Sequence, residues 1–355
     1  MRIIFDLGHP AHFHLFKNSI KSLKQAGHDV RIIARQKDCL IDLLSRTGWP
    51  YYVISRKRKG LLPLAWQTVK TFFAAFFLAA RKRTDFIIGT SAVAGLVSRL
   101  TGAVSLIFNE DDAKVVPIFA KLAYPLAHYI VTPESLKYED YGKRHIRYQG
   151  YHEMAYLHPN YFRPAPSILN LLGLRQGEHY FLVRLVSLTA HHDIGAKGIS
   201  TAQATFLVNH LSKHGKVFIS AERTIDESMN SYLLPVPADR IFDVMAFADM
   251  VIGDSQTMIA EAAVLGTPAL RCNSFVGRLS YLEELEHKYG LTAGIRPENF
   301  EKLIDKMNEW LSMPNLKENW QNKRQIMLRE CVDLTDWIIR LLEKLKKGST
   351  RCPDK

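Results

Sequence analysis

Three histidines crowd one short stretch, Asp6-Leu7-Gly8-His9-Pro10-Ala11-His12-Phe13-His14. An imidazole changes charge near neutral pH, so a histidine facing a site can serve as a general base. A metal site is the weaker reading, because His12 and His14 lie two apart and only Asp6 offers a nearby carboxylate. The plain alternative is that the three cap and pack a helix. A second string is Gly253-Asp254-Ser255-Gln256-Thr257-Met258-Ile259-Ala260-Glu261. It reads as a strand end followed by a helix start, and such a start attracts anions through its open N–H groups and dipole. Glu261, about two turns on, can accept both hydroxyls of a ribose. The plain alternative makes Asp254 an N-cap and Glu261 a solvated helix residue.

Two further loops carry polar chemistry. Arg184, Ser187, His191, Asp193, Gly195, Lys197 and Gly198 fall in one segment, where Ser187, His191 and Lys197 can meet phosphates and the glycines allow close backbone approach. Ser187, His191 and Asp193 also have a hydrolase triad's composition, but no GxSxG elbow accompanies them. Asn109-Glu110-Asp111-Asp112 puts three acids after an apolar run, fit to bind a cation, activate an acceptor or cap the next helix. Glu222 and Arg223 stand in a similar position, and an arginine there can clamp a phosphate.

These segments need strand ends to position them. Apolar runs at 2–6, 29–34, 51–54, 86–89, 104–109 and 129–132 alternate with helical spacings at 13–25, 39–47, 61–80, 92–101 and 116–127. Prolines at 159, 164 and 166 mark a linker over 150–180. The alternation then resumes with strands at 180–186, 216–220, 240–242, 250–253 and 268–270, a helix over 255–265, and helical ends over 300–311 and 316–346. Such alternation predicts α/β domains with parallel sheets. The expected division is 1–160, an N-terminal Rossmann-like domain; 161–320, a second; and 321–347, a closing helix packing back on the first. Ligands of such sheets bind beyond the carboxyl strand ends, so a cleft between the two domains is the expected site.

The 355 residues are 47% hydrophobic and 23% charged, which excludes a disordered or collagen-like chain. Residues 1–100 hold 17 Lys/Arg against 5 Asp/Glu, while the rest holds 30 of each, so the net +12 sits in the first 100 residues. One surface there is expected to meet an anion. The four cysteines form no CxxC or Cys/His cluster, so no metal site is expected. The apolar start ends at Asp6, too early for a signal peptide, and a cytoplasmic protein is expected. Residues 61–80 are apolar and flanked by basic clusters at 56–59 and 81–83. A membrane span, a helix in the membrane interface and a buried helix all suit that segment by length. Lys70 and the strand-like 85–89 that follows oppose the span. Docking of residues 56–83 on anionic lipid at the inner face of the cytoplasmic membrane is the expectation.

The string GDSQTMIAEAAVLGTPAL resembles the nucleotide-sugar motif of the GT-B superfamily, notably that of the non-hydrolysing UDP-N-acetylglucosamine 2-epimerases, which reads DSGG, then EEA and LGxP. From DLGHPAHFH through NEDDAK to AHHDIGAKG, the chain also resembles the family called domain of unknown function 354. The resemblance implies a GT-B fold, two Rossmann-like domains facing across a cleft, with Asp254, Ser255, Gln256 and Thr257 at the motif's opening and Glu261 on the ribose. Thr90 and Ser91 stand where those epimerases carry an aspartate, and Pro117-Ile118-Phe119 where they carry Pro-Glu-Glu. The His loop is similar to the first loop of the peptidoglycan lipid-intermediate N-acetylglucosaminyltransferases, whose histidine aligns with His12 and which dock on membrane through a basic, apolar patch.

The resulting expectation is a glycosyltransferase that moves a sugar from a nucleotide-diphosphate sugar, a UDP-sugar by resemblance, to a lipid-linked or cell-surface glycan acceptor. His12 or His9, with Glu110 and Asp111, would act on the acceptor. Arg184, Ser187, His191, Asp193, Gly195, Lys197, Glu222, Arg223 and the 254–261 segment would hold the donor. No metal or other cofactor is expected. A nucleotide-sugar epimerase is the enzyme alternative. A non-catalytic protein for anionic polymers is the alternative from another class, although no nucleic-acid module is visible and none is expected as partner. A second copy of the chain is a further candidate partner.

Overall fold

A computed structural model describes residues 1–37, 39–56, 61–175, 177–187 and 197–349. The chain divides into two compact units, 1–161 with 331–355, and 162–330.

The first unit is built on β1 (Arg2–Leu7), β2 (Asp29–Gln36), β3 (Tyr51–Arg56), β4 (Phe86–Gly89), β5 (Val104–Phe108), β6 (Tyr129–Pro133) and β7 (His145–Tyr148). All pair in parallel, in the order β3-β2-β1-β4-β5-β6-β7. The central strands are apolar on both faces, as a sheet covered by helices on each side requires. On one face, Phe16 of α1 (Pro10–Gln25) packs against Phe5 and Phe108 at 5.4 and 5.2 Å between ring centroids. On the other lie α3 (Leu61–Arg81), α4 (Ala92–Thr101) and α5 (Pro117–Ala123), covering Ile4, Ile33, Ile87, Ile107 and Ile130. A short α2 (Leu40–Ser45) links β2 to β3. Helix α3 buries Ala75 and Ala79, so small side chains let it lie close on the sheet. No helix among the described residues is long and apolar enough to cross a membrane.

The second unit has β8 (Tyr180–Leu185), β9 (Lys216–Ala221), β10 (Met250–Gly253), β11 (Ala269–Cys272) and β12 (Thr292–Ile295), parallel in the order β12-β11-β10-β8-β9. Its helices are α6 (Ile168–Leu171), α7 (Thr201–Leu211), α8 (Ile241–Phe247), α9 (Gln256–Leu265), α10 (Ser280–His287), α11 (Phe300–Leu311) and α12 (Leu316–Glu330). Helix α13 (Leu334–Ser349) returns to the first unit.

Four expectations need correction. Residues 321–330 belong to the second unit, because Gln321 and Arg324 of α12 donate to the last carbonyls of α9, those of Leu265 and Val264, at 3.0 and 2.9 Å. The expected helix over 316–346 is two helices. Val332 leaves α12's line to donate its N–H to Gln149 O (2.9 Å), and Asp333 accepts from Asp336 N–H to start α13. The expected strand at 240–242 is a helical turn leading into α8, where Phe242, Val244 and Met245 bury at helical spacing. The linker over 150–180 is mostly packed structure: Tyr151, Met154 and Leu157 are buried in the first unit, Ile168 and Leu172 in the second. Strands β7 and β12 went unread because their four-residue runs mix polar and apolar residues.

Candidate functional site

Each sheet has a switch point, where adjacent strands send their chains to opposite sides, and a crevice opens there at the carboxyl ends. In the first unit it lies between β1 and β4; in the second, between β8 and β10. The histidine loop follows β1, and the 254–261 segment follows β10.

At the first switch point the chains run very close. A side chain on Gly89 would meet Asp6 O at 2.7 Å. Asp6 is buried, with Arg35 Nη2 at 3.2 and 3.0 Å from its two oxygens and the Ser91 hydroxyl donating to Oδ2. Its carboxylate is thus committed to neighbours. Helix α1 begins with Pro10 at its first position, and His9 caps it, Nδ1 accepting the Ala11 N–H at 3.2 Å. His12 Nδ1 accepts the Gly8 N–H at 3.1 Å, and Thr90 Oγ1 lies 2.8 Å from the ring nitrogens. Burial, reinforced by His9 and Arg35, pushes His12 well below the ordinary histidine range. A neutral ring that accepts at Nδ1 carries its hydrogen on Nε2. The Gly8 N–H thus occupies Nδ1, and Nε2 lies beside Thr90 Oγ1. His14 turns away, its ring 5.3 Å from that of Tyr156, and burial lowers it to about 3.

Glu110 and Asp111 follow β5. The backbone of 109–116 is folded into turns, Asn109 Oδ1 accepting the Asp111 N–H and Asp112 O those of Val115 and Val116. Glu110 Oε2 sits 3.1 Å from Nδ1 of His152, which follows β7. Burial raises Glu110 to about 8, against a lowering by the His152 backbone N–H; burial likewise lowers His152 to about 4. Arg35, Thr90, Ser91 and His152 were not read as site residues. Only the strand order brings them beside the histidine loop.

At the second switch point Asp254 is 1% exposed and works as a clasp. Its Oδ1 accepts the Val186 N–H at 2.7 Å, and its Oδ2 the Ile199 N–H at 3.2 Å. Gly198 is required beside it, because a Cβ there would lie 2.5 Å from Oδ2. Asp254 therefore positions loops, where the sequence reading placed it on the ligand. Asn273, another unread residue, donates Nδ2 to Asp254 O at 2.9 Å. Ser255 caps α9, its hydroxyl accepting the Met258 N–H at 3.2 Å. Gln256 and Thr257 open the helix, with first-turn N–H groups that the helical ladder does not use. Glu261 is buried at 5% exposure, so it is no solvated helix residue.

Arg184 gives Nη1 to Ser220 Oγ at 2.7 Å and Nη2 to Glu222, and Arg223 reaches Ile199 O and, at 3.7 Å, Asp254. Glu222 and Arg223 thus brace the strand ends. Lys197 is exposed, 3.8 Å from Glu298, and its N–H donates to Ser274 Oγ at 3.0 Å. Ser187 ends the described stretch after β8; His191, Asp193 and Gly195 lie outside the described residues. The one cluster with metal-ligand spacing among the described residues, Glu283, Glu286 and His287, gathers instead around Arg271 (2.9 Å to Glu283) and the Gly294 N–H (2.8 Å to Glu286).

A family profile matches residues 1–292. The chain belongs to the family described as "Protein of unknown function (DUF354)". No curated protein matches it. Solved structures similar to this DUF354 protein include a spinosyn forosaminyltransferase, SpnP, at 15% identity and TM-score 0.66, covering 97% of this chain and 99% of that one. A UDP-N-acetylglucosamine 2-epimerase is similar at 14% identity and TM-score 0.67, covering 100% and 98%. MurG of Acinetobacter baumannii is similar at 16% identity and TM-score 0.60, covering 97% and 100%. At such identities the likeness is one of fold, and the fold of this DUF354 protein is GT-B.

Proposed function

We propose that this DUF354 protein is a glycosyltransferase that moves a sugar from a UDP-sugar to a lipid-linked or cell-surface glycan acceptor. The observation that carries the reading is the second switch point. There the capped start of α9, with no acid in its first turn, offers N–H groups to a diphosphate, and a carboxylate, Glu261, sits buried on the same helix. Lys197 and Ser187 adjoin that crevice as further phosphate partners. The similar structures include proteins named as a sugar transferase and a nucleotide-sugar epimerase, which agrees with a donor of this class. At the first switch point, His12, His9, Glu110 and Asp111 would meet the acceptor hydroxyl, with His12 donating to its oxygen. No metal is needed, because backbone dipoles and cations can meet the leaving diphosphate.

A membrane-borne acceptor is supported by one face of the first unit. Val69, Phe73 and Phe77 of α3, Leu96 and Leu100 of α4, and Ile118 and Leu122 of α5 are exposed. Helix α4 packs against both α3 and α5, and the three contain no Asp or Glu. Lys70, Arg81, Lys82 and Arg83 are exposed around them. Each cation near an anionic surface contributes about 1 kcal/mol. Of the expected docking stretch, residues 57–60 lie outside the described residues. The acid–base chemistry at Glu110 and His152 keeps a nucleotide-sugar epimerase as the second reading. Incubation with UDP-sugars and membrane extract tests both: glycosylated lipid or glycan supports transfer, whereas an isomeric UDP-sugar formed without acceptor supports epimerisation. Neither product from any UDP-sugar would reject the reading.

A further inference from the structure

His152 belongs to no expected site, yet it makes the closest charged contact of Glu110. The two come from the ends of different strands, β5 and β7, and meet at 3.1 Å between Oε2 and Nδ1. Glu110 Oε2 and His152 Nε2 are both sealed from solvent, and neither has a hydrogen-bond partner among the described residues. Glu110 nonetheless keeps 18% of its side-chain surface exposed, which therefore lies on its other atoms. The carboxyl also meets the backbone N–H of His152, which opens a 3₁₀ turn, so main chain and ring of one residue both face it. The surroundings are titratable too: Glu153 and Asp111 act on His152, the Tyr148 ring stacks 6.2 Å from the imidazole, and His12 is within electrostatic reach.

We propose that Glu110 is the group that takes the proton from the acceptor hydroxyl, with His152 as its positioning residue and the receiver of Glu110's own proton. The proposal rests on the glycosyl-transfer reading and deepens it. Burial raises Glu110 to about 8 and lowers His152 to about 4, so between those values Glu110 holds the pair's titrating proton, with Oε2 3.1 Å from Nδ1. As the acceptor oxygen bonds to the anomeric carbon, its proton passes to Oε1 and the Oε2 proton to Nδ1. The anomeric C–O bond to the diphosphate breaks, and the electron pair leaves with the nucleotide. Glu110 ends neutral. The positive charge ends on the imidazole, where Glu153 and Asp111 favour it; after product leaves, Nδ1 returns its proton to Oε2 and the Oε1 proton passes to solvent from the exposed part of Glu110.

The starting state can be read without substrate. Infrared spectra of the wild-type chain at pH 7 should show a carboxylic-acid C=O band that disappears in Glu110→Gln. In His152→Asn the midpoint of that band should fall, whereas a purely structural His152 would leave it in place. In turnover, Glu110→Gln and His152→Asn should each lower kcat at least ~100-fold with KM little changed, and the double variant should be no worse than either. An ionised Glu110 at pH 7, or wild-type turnover in Glu110→Gln, overturns the proposal. Should no UDP-sugar bind at all, the glycosyl-transfer reading fails by itself, while the infrared band still decides the pair's proton.

Discussion

A histidine is a base only through the nitrogen whose lone pair is open. In His12 the Gly8 N–H takes up Nδ1, and burial keeps the ring neutral. His12→Ala should therefore lower turnover by roughly 100-fold or more while UDP-sugar affinity stays near wild type, measured by steady-state kinetics and calorimetry together. Equal losses in both would place His12 in folding. Asp254 shows the same division between contact and support. Asp254→Asn removes one acceptor from a clasp made with Val186 and Ile199 and should cost about 1–3 kcal/mol, read by denaturant unfolding. The DSQT string was legible as a helix start because Ser255 precedes an apolar run. What it could not disclose is that Asp254 faces inward: its partners lie 68 and 55 residues away in the chain.

At the scale of elements, strand order decides which loops meet. Helix α1 was legible from Phe13, Phe16, Ile20 and Leu23, all buried as their spacing requires. His152 was not, because it follows a strand, β7, whose sequence is half polar, inside a stretch that the prolines make look like a linker. Arg35 escaped for a related reason, ending a strand with no motif of its own while lying over Gly8 and Asp6. Helix α1 also carries a pH signature. Its His14 is lowered from the ordinary value to about 3, so between there and 6.5 the unfolded chain binds the extra proton. Its contribution is present at neutral pH and is lost as pH falls through that window. His14→Gln should flatten the decline in stability on acidification, followed by urea unfolding at several pH values. At α9, Ser255→Ala removes the cap and should cost about 1 kcal/mol, seen as a lowered Tm.

For the whole molecule, the charge excess of the first 100 residues finds a physical setting in the apolar face of α3, α4 and α5. The sequence pointed to α3 through its apolar length. Ile118 and Leu122 of α5 join that face only because the fold sets α5 beside α4. Flotation with vesicles rich in anionic lipid should recover the wild-type chain, and Phe73→Asp with Phe77→Asp should release it; equal flotation on neutral vesicles would contradict an electrostatic contribution. The claim on which the rest depends is that the second unit holds a nucleotide sugar over the start of α9, beside Glu261. Calorimetric titration of UDP-sugars into the wild-type chain and into Glu261→Ala tests it most directly. Saturable one-site binding by the wild type, weakened roughly 10-fold or more in the variant, is predicted. Equal affinity in both, or no binding by the wild type, would contradict it.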